Sequence, residues 1–257
     1  MLFRRSVLIA LGSAVLITAC GSSGTGPHAS PTTAPGSSGS TTSSSAPVNY
    51  HPKIDPANFS NKITNPYFPL KPGSQFLFDG IRDGKPQHTE VTVSKETKMI
   101  MGIATVVVRD VVTNNGALEE KTTDWYAQSK NGDVWYFGEA TAEYLNGQVS
   151  NTQGSWEAGV DNAQPGIIMK ANPKLGMHYR QEFRAGVAED VARVTTTGTT
   201  YQAGGTTYRN VVITTDRNPL NPDKLDQKYF APGVGLIYTK KISAGHSETS
   251  TLTRVVR

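Results

Sequence analysis

The run Asp124-Trp125-Tyr126-Ala127-Gln128, followed two residues later by Asn131-Gly132-Asp133-Val134-Trp135-Tyr136-Phe137, decides the fold of this chain. Two aromatic, β-favouring segments flank an Asn-Gly pair, the dipeptide that most readily supplies the positive φ angles of a hairpin turn. The pattern returns near the C-terminus as Tyr229-Phe230-Ala231-Pro232-Gly233-Val234-Gly235-Leu236-Ile237-Tyr238.

Working outward, other landmarks recur in the same register. Lys71-Pro72-Gly73-Ser74-Gln75-Phe76 and Lys174-Leu175-Gly176-Met177-His178-Tyr179 both read Lys-x-Gly-x-x-aromatic. Gly102 and Gly205 each open a β-branched run, and Trp125 and Tyr229 each open an aromatic pair. The offsets are 103, 103 and 104 residues. Such spacing predicts two similar halves, about 71–157 and 174–257, the alternative being two unrelated meanders with alike turn spacing.

The chain is therefore expected to be all-β: an antiparallel meander whose halves form one curved sheet, a half-barrel or a sandwich. In the first half the predicted strands lie near 75–80, 89–94, 105–113, 117–128, 134–144 and 148–156. In the second they lie near 177–183, 188–197, 206–216, 225–230, 234–242 and 248–256, with 187–194 readable as a short helix instead. Asn115-Gly116, Asn131-Gly132 and Asn146-Gly147 punctuate the first half as hairpin turns. Tyr50 to Pro72, rich in proline and apolar residues, is expected to wrap the sheet. The linker from Gly154 to Pro173 is expected to plug the core, or else to form a lid.

The N-terminus announces export. Arg4 and Arg5 precede an apolar run from Val7 to Ile17, too short to be read as a membrane span. The run ends in Leu16-Ile17-Thr18-Ala19-Cys20, which resembles the bacterial lipobox, and Cys20 is the only cysteine. The resemblance implies a diacylglycerol thioether and acyl chains such as palmitate on Cys20, cleavage before it, and residence on the extracytoplasmic face of the bacterial cell membrane. Two or more chains make such an anchor durable. Arg4-Arg5 also weakly resembles a twin-arginine export signal, and a charged start of the general pathway is the plainer reading.

Residues 21–49 follow as a Gly/Ser/Thr/Pro linker with no charged side chain, a composition that cannot offset its own ordering entropy. Its reach is about 25–30 Å as a flexible coil. The domain proper is placed at 50–257. Without Arg4 and Arg5 the 25 basic residues fall to 23, against 21 acidic, and no Lys/Arg run occurs, so a nucleic-acid partner is not expected.

Asn65-Pro66-Tyr67-Phe68-Pro69-Leu70, Trp125-Tyr126-Ala127-Gln128, Val134-Trp135-Tyr136-Phe137-Gly138-Glu139, Gly154-Ser155-Trp156-Glu157-Ala158-Gly159, Pro165-Gly166-Ile167-Ile168-Met169 and Ala231-Pro232-Gly233-Val234-Gly235-Leu236 resemble motifs of a family of bacterial envelope proteins frequent in actinobacteria. The resemblance runs from about Ile54 to Ile242 and implies no particular activity. The final strand pair is also similar to that of periplasmic β-proteins built as curved half-barrels, some of which carry lipid; that is analogy of fold.

Catalytic signals are sparse. The five histidines are scattered, with no His-Glu-x-x-His, and there is no nucleophile elbow or phosphate-binding loop, so neither metal nor cofactor is expected. Asp124, Asp133, Glu139, Glu143, Glu157 and Asp161 would have to face one another across a groove to serve a glycosidase. They are read instead as surface carboxylates at turns and strand edges. The aromatics are the stronger suspects: Trp125, Trp135, Phe137, Trp156, Tyr229 and Tyr238 are the candidate ligand-binding residues. Adjacent strand residues point to opposite faces, so one set should pack the core and the other should face a concavity or solvent.

Three functions stay open. The first is a non-catalytic binder of an apolar or amphipathic envelope ligand, which requires a cavity of at least a few hundred Å³. The second is a structural or adaptor protein with an exposed apolar patch. The third, a glycan-acting enzyme, requires the paired carboxylates.

Overall fold

The computed structural model describes residues 49–243 and 246–257. The signal segment, Cys20 and nearly all of the linker lie outside the described residues. Sixteen strands, every pairing antiparallel, join in one sheet that returns on itself as a barrel. They are β1 (Phe59–Ser60), β2 (Gln75–Arg82), β3 (Lys85–Ile100), β4 (Ile103–Asn114), β5 (Ala117–Ser129), β6 (Val134–Leu145), β7 (Gln148–Asn151), β8 (Trp156–Glu157) and β9 (Gln164–Met169). The second half supplies β10 (His178–Arg180), β11 (Glu182–Phe183), β12 (Val191–Ala203), β13 (Thr206–Asn218), β14 (Asn221–Ala231), β15 (Gly235–Ser243) and β16 (His246–Val256).

The strand order explains the closure. From β10 the path runs β12-β13-β14-β15-β16-β2-β3-β4-β5-β6-β9 and ends at β11. Its two ends are consecutive in the chain, separated by Gln181 alone, so the backbone itself bridges the sheet's edges. An open edge is a template for unwanted pairing, and this connection covers it. The meander halves meet where β16 pairs β2, from Glu248↔Arg82 to Val256↔Gln75. Strand ends recur at the spacing seen in the sequence: β3 ends at Ile100 and β12 at Ala203, while β4 begins at Ile103 and β13 at Thr206.

Several local expectations need correction. β3 is far longer than the predicted 89–94, because Asp83-Gly84 and Met101-Gly102 turn the chain at both of its ends with positive φ. Residues 187–194 form no helix: Arg184 bridges Ala188 and β12 starts at Val191. The predicted strand 148–156 splits into β7 and β8. Asn115-Gly116 makes the expected two-residue turn, with φ of 50° and 78°. Asn131-Gly132 does not. There the hairpin closes through Gly132 N to Ser129 O and Ser129 N to Asp133 O, a longer turn in which only Gly132 takes positive φ.

The lead-in wraps the sheet. After a 3-10 turn at Pro56–Asn58, Phe59 and Ser60 pair with Ser129 and Gln128 of β5. The Gln128 side chain then accepts from the backbone N–H of Thr64 and Asn65. Asn65, itself buried, donates to the carbonyls of Gly132 and Lys170 and accepts from Tyr67 N–H. That clamp fixes the strap Pro66–Leu70 over one end of the barrel. The linker 154–173 is a wall rather than a lid: it supplies β8 and β9, and Ile168 and Met169 are fully buried.

Candidate functional site

Inward-facing positions follow from register. Cross-strand rows run Val106, Tyr126, Tyr136; Val108, Asp124, Glu139; Asp110, Thr122, Thr141; and Val112, Glu120, Glu143. The first row is apolar or aromatic, and the later ones are increasingly polar. The barrel thus has an apolar end under the strap and an acidic interior beyond it.

Asp124 and Glu139 are therefore not surface carboxylates, contrary to the sequence reading: each is about 1% exposed. Strand parity puts Asp124 on the face of Tyr126, and the bulge at Phe137, where Trp125 opposes Gly138 and Tyr126 opposes Tyr136, brings Glu139 onto the face of Tyr136. Asp110, Glu120 and Glu182 are buried with them. Burial is the main force raising their affinity for protons: Glu120 is pushed up to about 8 and Asp124 to about 7, while Asp110, Glu139 and Glu182 are raised as well. Asp124 accepts from the Tyr136 hydroxyl at 2.6 Å, and Glu182 from the Trp156 indole N–H at 3.0 Å. Both oxygens of Glu139 are buried, with no hydrogen-bond partner among the described residues. The buried cations are few: Lys228 pairs with Asp216 at 2.7 Å and Arg82 with Glu119 at 2.7 Å.

The other suspected carboxylates are structural. Asp133 holds Ala171 N–H and the Lys170 ammonium, Glu157 pairs with Lys98, Asp161 with Arg184, and Glu143 accepts from Asn151. Asp124 and Glu139 are neighbours within one sheet rather than partners across a groove. Among the described residues no cluster of three or more His, Asp or Glu is arranged to hold a metal ion.

None of the six candidate aromatics lines either of two pockets at the strap end. Trp125 lies beneath the Lys98 ammonium, 3.6 Å from its ring centroid. Phe137 and Trp156 are buried, and Trp135 packs edge-on against Phe59. Phe137 is bulged outward where Gly138 opposes Trp125; a Cβ on Gly138 would come within 2.3 Å of the Trp156 carbonyl. Tyr229 and Tyr238 form a half-buried trio with Tyr201, on the face opposite Lys228 and Thr239.

The first pocket, inside the barrel, holds only about 70 Å³. Phe76, Phe78, Tyr126 and Phe230 form its sides, and Asp110, Asp124 and Lys228 reach it from the acidic interior. It falls well short of the few hundred Å³ expected of an enclosed ligand cavity. The interior is filled by side chains, as narrow barrels usually are.

The second is a groove of about 540 Å³ on the other side of the strap, within the range of small-molecule sites. Ile63, Leu70, Phe76 and Val106 make its apolar floor, and Lys62, Lys71 and Lys95 stand exposed on its rim. Pro69, Leu70 and Phe76 are walls of both pockets. The groove exists because β3 breaks register against β4: Val93 faces Val108 and Thr97 faces Val106, so Ser94, Lys95 and Glu96 bulge opposite Val107 alone. Bulges of this kind re-aim side chains beside sites. Sequence reading missed the groove, because Ser-Lys-Glu inside a polar strand carries no signal of a bulge.

No protein-family model matches the sequence, and no curated protein is significantly similar to it. Two solved structures resemble the fold. One, from Bacteroides fragilis, is described as an exported protein with a YmcC-like fold; it is 13% identical, with a TM-score of 0.43, over 74% of this chain and 99% of its own. The other, from Parabacteroides distasonis, is described as a lipoprotein; it is 14% identical, with a TM-score of 0.41, over 74% of this chain and 98% of its own.

Proposed function

We propose that this chain is an extracytoplasmic lipoprotein, anchored through acylated Cys20, that binds an amphipathic envelope molecule without transforming it. The observation that carries the binding reading is the groove of about 540 Å³, with its apolar floor and polar rim. The lipobox-like Leu16–Cys20 and the uncharged linker support the anchored placement. Asp124 and Glu139 are buried side by side within one sheet, and only Asp124 reaches the small inner pocket, which argues against a glycosidase, since that needs its two carboxyl groups flanking a bound sugar.

Purification of the full chain as Cys20→Ala, with native and denaturing mass spectra and organic extraction, tests the binding reading. A stoichiometric amphiphile is expected. A bare protein that also takes up no acyl amphiphile in titration overturns it. The same substitution should release the protein from membranes, and persistent association would refute the anchor.

A second reading, an adaptor, is favoured by one feature. Met99 (62% exposed) and Met101 (39%) project at the β3–β4 tip beside Gly159 and the exposed Val160. Met-rich surfaces suit adaptable partner contacts. Loss of partner recovery in a Met99→Lys/Met101→Lys protein, with amphiphile binding intact, would decide for it.

A further inference from the structure

The rim of the groove specifies more than its floor does. Lys62, Lys71 and Lys95 are exposed, and among the described residues none of them forms an ion pair. The one carboxylate side chain lining the groove, Glu96, is held by Arg109 on the neighbouring strand, and Arg257, which also lines it, donates its guanidinium N–H to the Gly233 carbonyl. Three uncompensated ammonium groups thus surround an apolar floor built from Leu70, Phe76 and Val106. A neutral amphiphile would gain the floor but no charge attraction from the rim. An anionic head would be drawn to the rim while its chain covers the floor.

We infer that the groove selects an anionic single-chain amphiphile, with its carboxylate or phosphate head among Lys62, Lys71 and Lys95 and its acyl chain over Leu70, Phe76 and Val106. This inference rests on the binding function proposed above. The bulge at Ser94–Glu96 is the specificity element, because it carries Lys95 out of strand register to the rim. Exposed pairs are individually weak, so the preference is cumulative and falls with salt.

The test uses the full Cys20→Ala chain with two probes of equal chain length, palmitate and monopalmitin, in displacement titrations. Palmitate is expected to bind about tenfold tighter at low ionic strength. Shorter carboxylates should lose about fourfold per methylene while the chain still lies on the floor. Lys71→Glu/Lys95→Glu, both at exposed positions, should abolish the palmitate preference, bringing the ratio of palmitate to monopalmitin affinity down to about one or below. Equal binding of both probes, with no effect of charge reversal, overturns the anionic assignment and leaves the binding function standing. Failure of both probes to bind refutes the two together.

Discussion

Replacing Glu120 by Gln should flatten the pH dependence of stability. Glu120 is fully buried on β5, and its carboxyl is held up to about 8 chiefly by desolvation, with Glu143 and Glu119 adding to the rise and Lys241 and the Thr122 hydroxyl opposing it. In the unfolded chain the group titrates near its ordinary value of 4.5. Below that value Glu120 is protonated in both states and has no effect. Between the two values the unfolded chain ionises while the folded protein keeps its proton. Stability then falls by about 1.4 kcal/mol per pH unit. Above about pH 8 the loss levels off at about 5 kcal/mol in total, of which about 3 kcal/mol is already felt at pH 7. Glutamine keeps an acceptor for the Thr122 and Thr141 hydroxyls and cannot ionise. Urea unfolding followed by tryptophan fluorescence at about pH 5, 7 and 8.5 measures the difference. The two proteins should differ by about 1 kcal/mol or less near pH 5, and the variant should be several kcal/mol the more stable near pH 8.5. An unchanged slope would falsify the assignment of a buried, protonated carboxyl at this position.

Other substitutions probe separate links. Asn65→Ala removes two donated bonds and one accepted bond that clamp the strap; about 2–4 kcal/mol of stability should be lost, read by denaturant midpoint at constant slope. Lys228→Met strands the Asp216 carboxylate, 3% exposed, and should cost about 3–5 kcal/mol. Adding Asp216→Asn should restore much of that, and simple additivity in the double-mutant cycle would disprove the coupling. Trp156→Phe deprives Glu182 of the indole donor inside the barrel, and thermal denaturation should register a loss of about 1–3 kcal/mol.

Much of the architecture is legible in local chemistry. Asn115-Gly116 enforces its turn, and the alternation Phe76, Phe78 on β2 marks an inward face. Both follow from backbone sterics and the two-residue period of a strand, which act between near neighbours. The sequence therefore determined an all-β antiparallel meander and where many of its strands lie.

What it could not carry was anything set by contacts between distant segments. Asp124 and Glu139 look like ordinary strand carboxylates until closure through Gln181 turns their shared face inward. Trp125 and Tyr126, on opposite faces, are both buried, because the barrel encloses Tyr126 while Lys98 lies across Trp125. Lys71 directly follows the strap and Lys95 sits in a bulge on β3, and they meet at one groove only because the Asn65 clamp holds the strap against the sheet. Strand formation is decided by neighbours in sequence. The floor, the rim and the charge of a groove are decided by which segments the closed sheet brings together, and that information resides only in the tertiary fold.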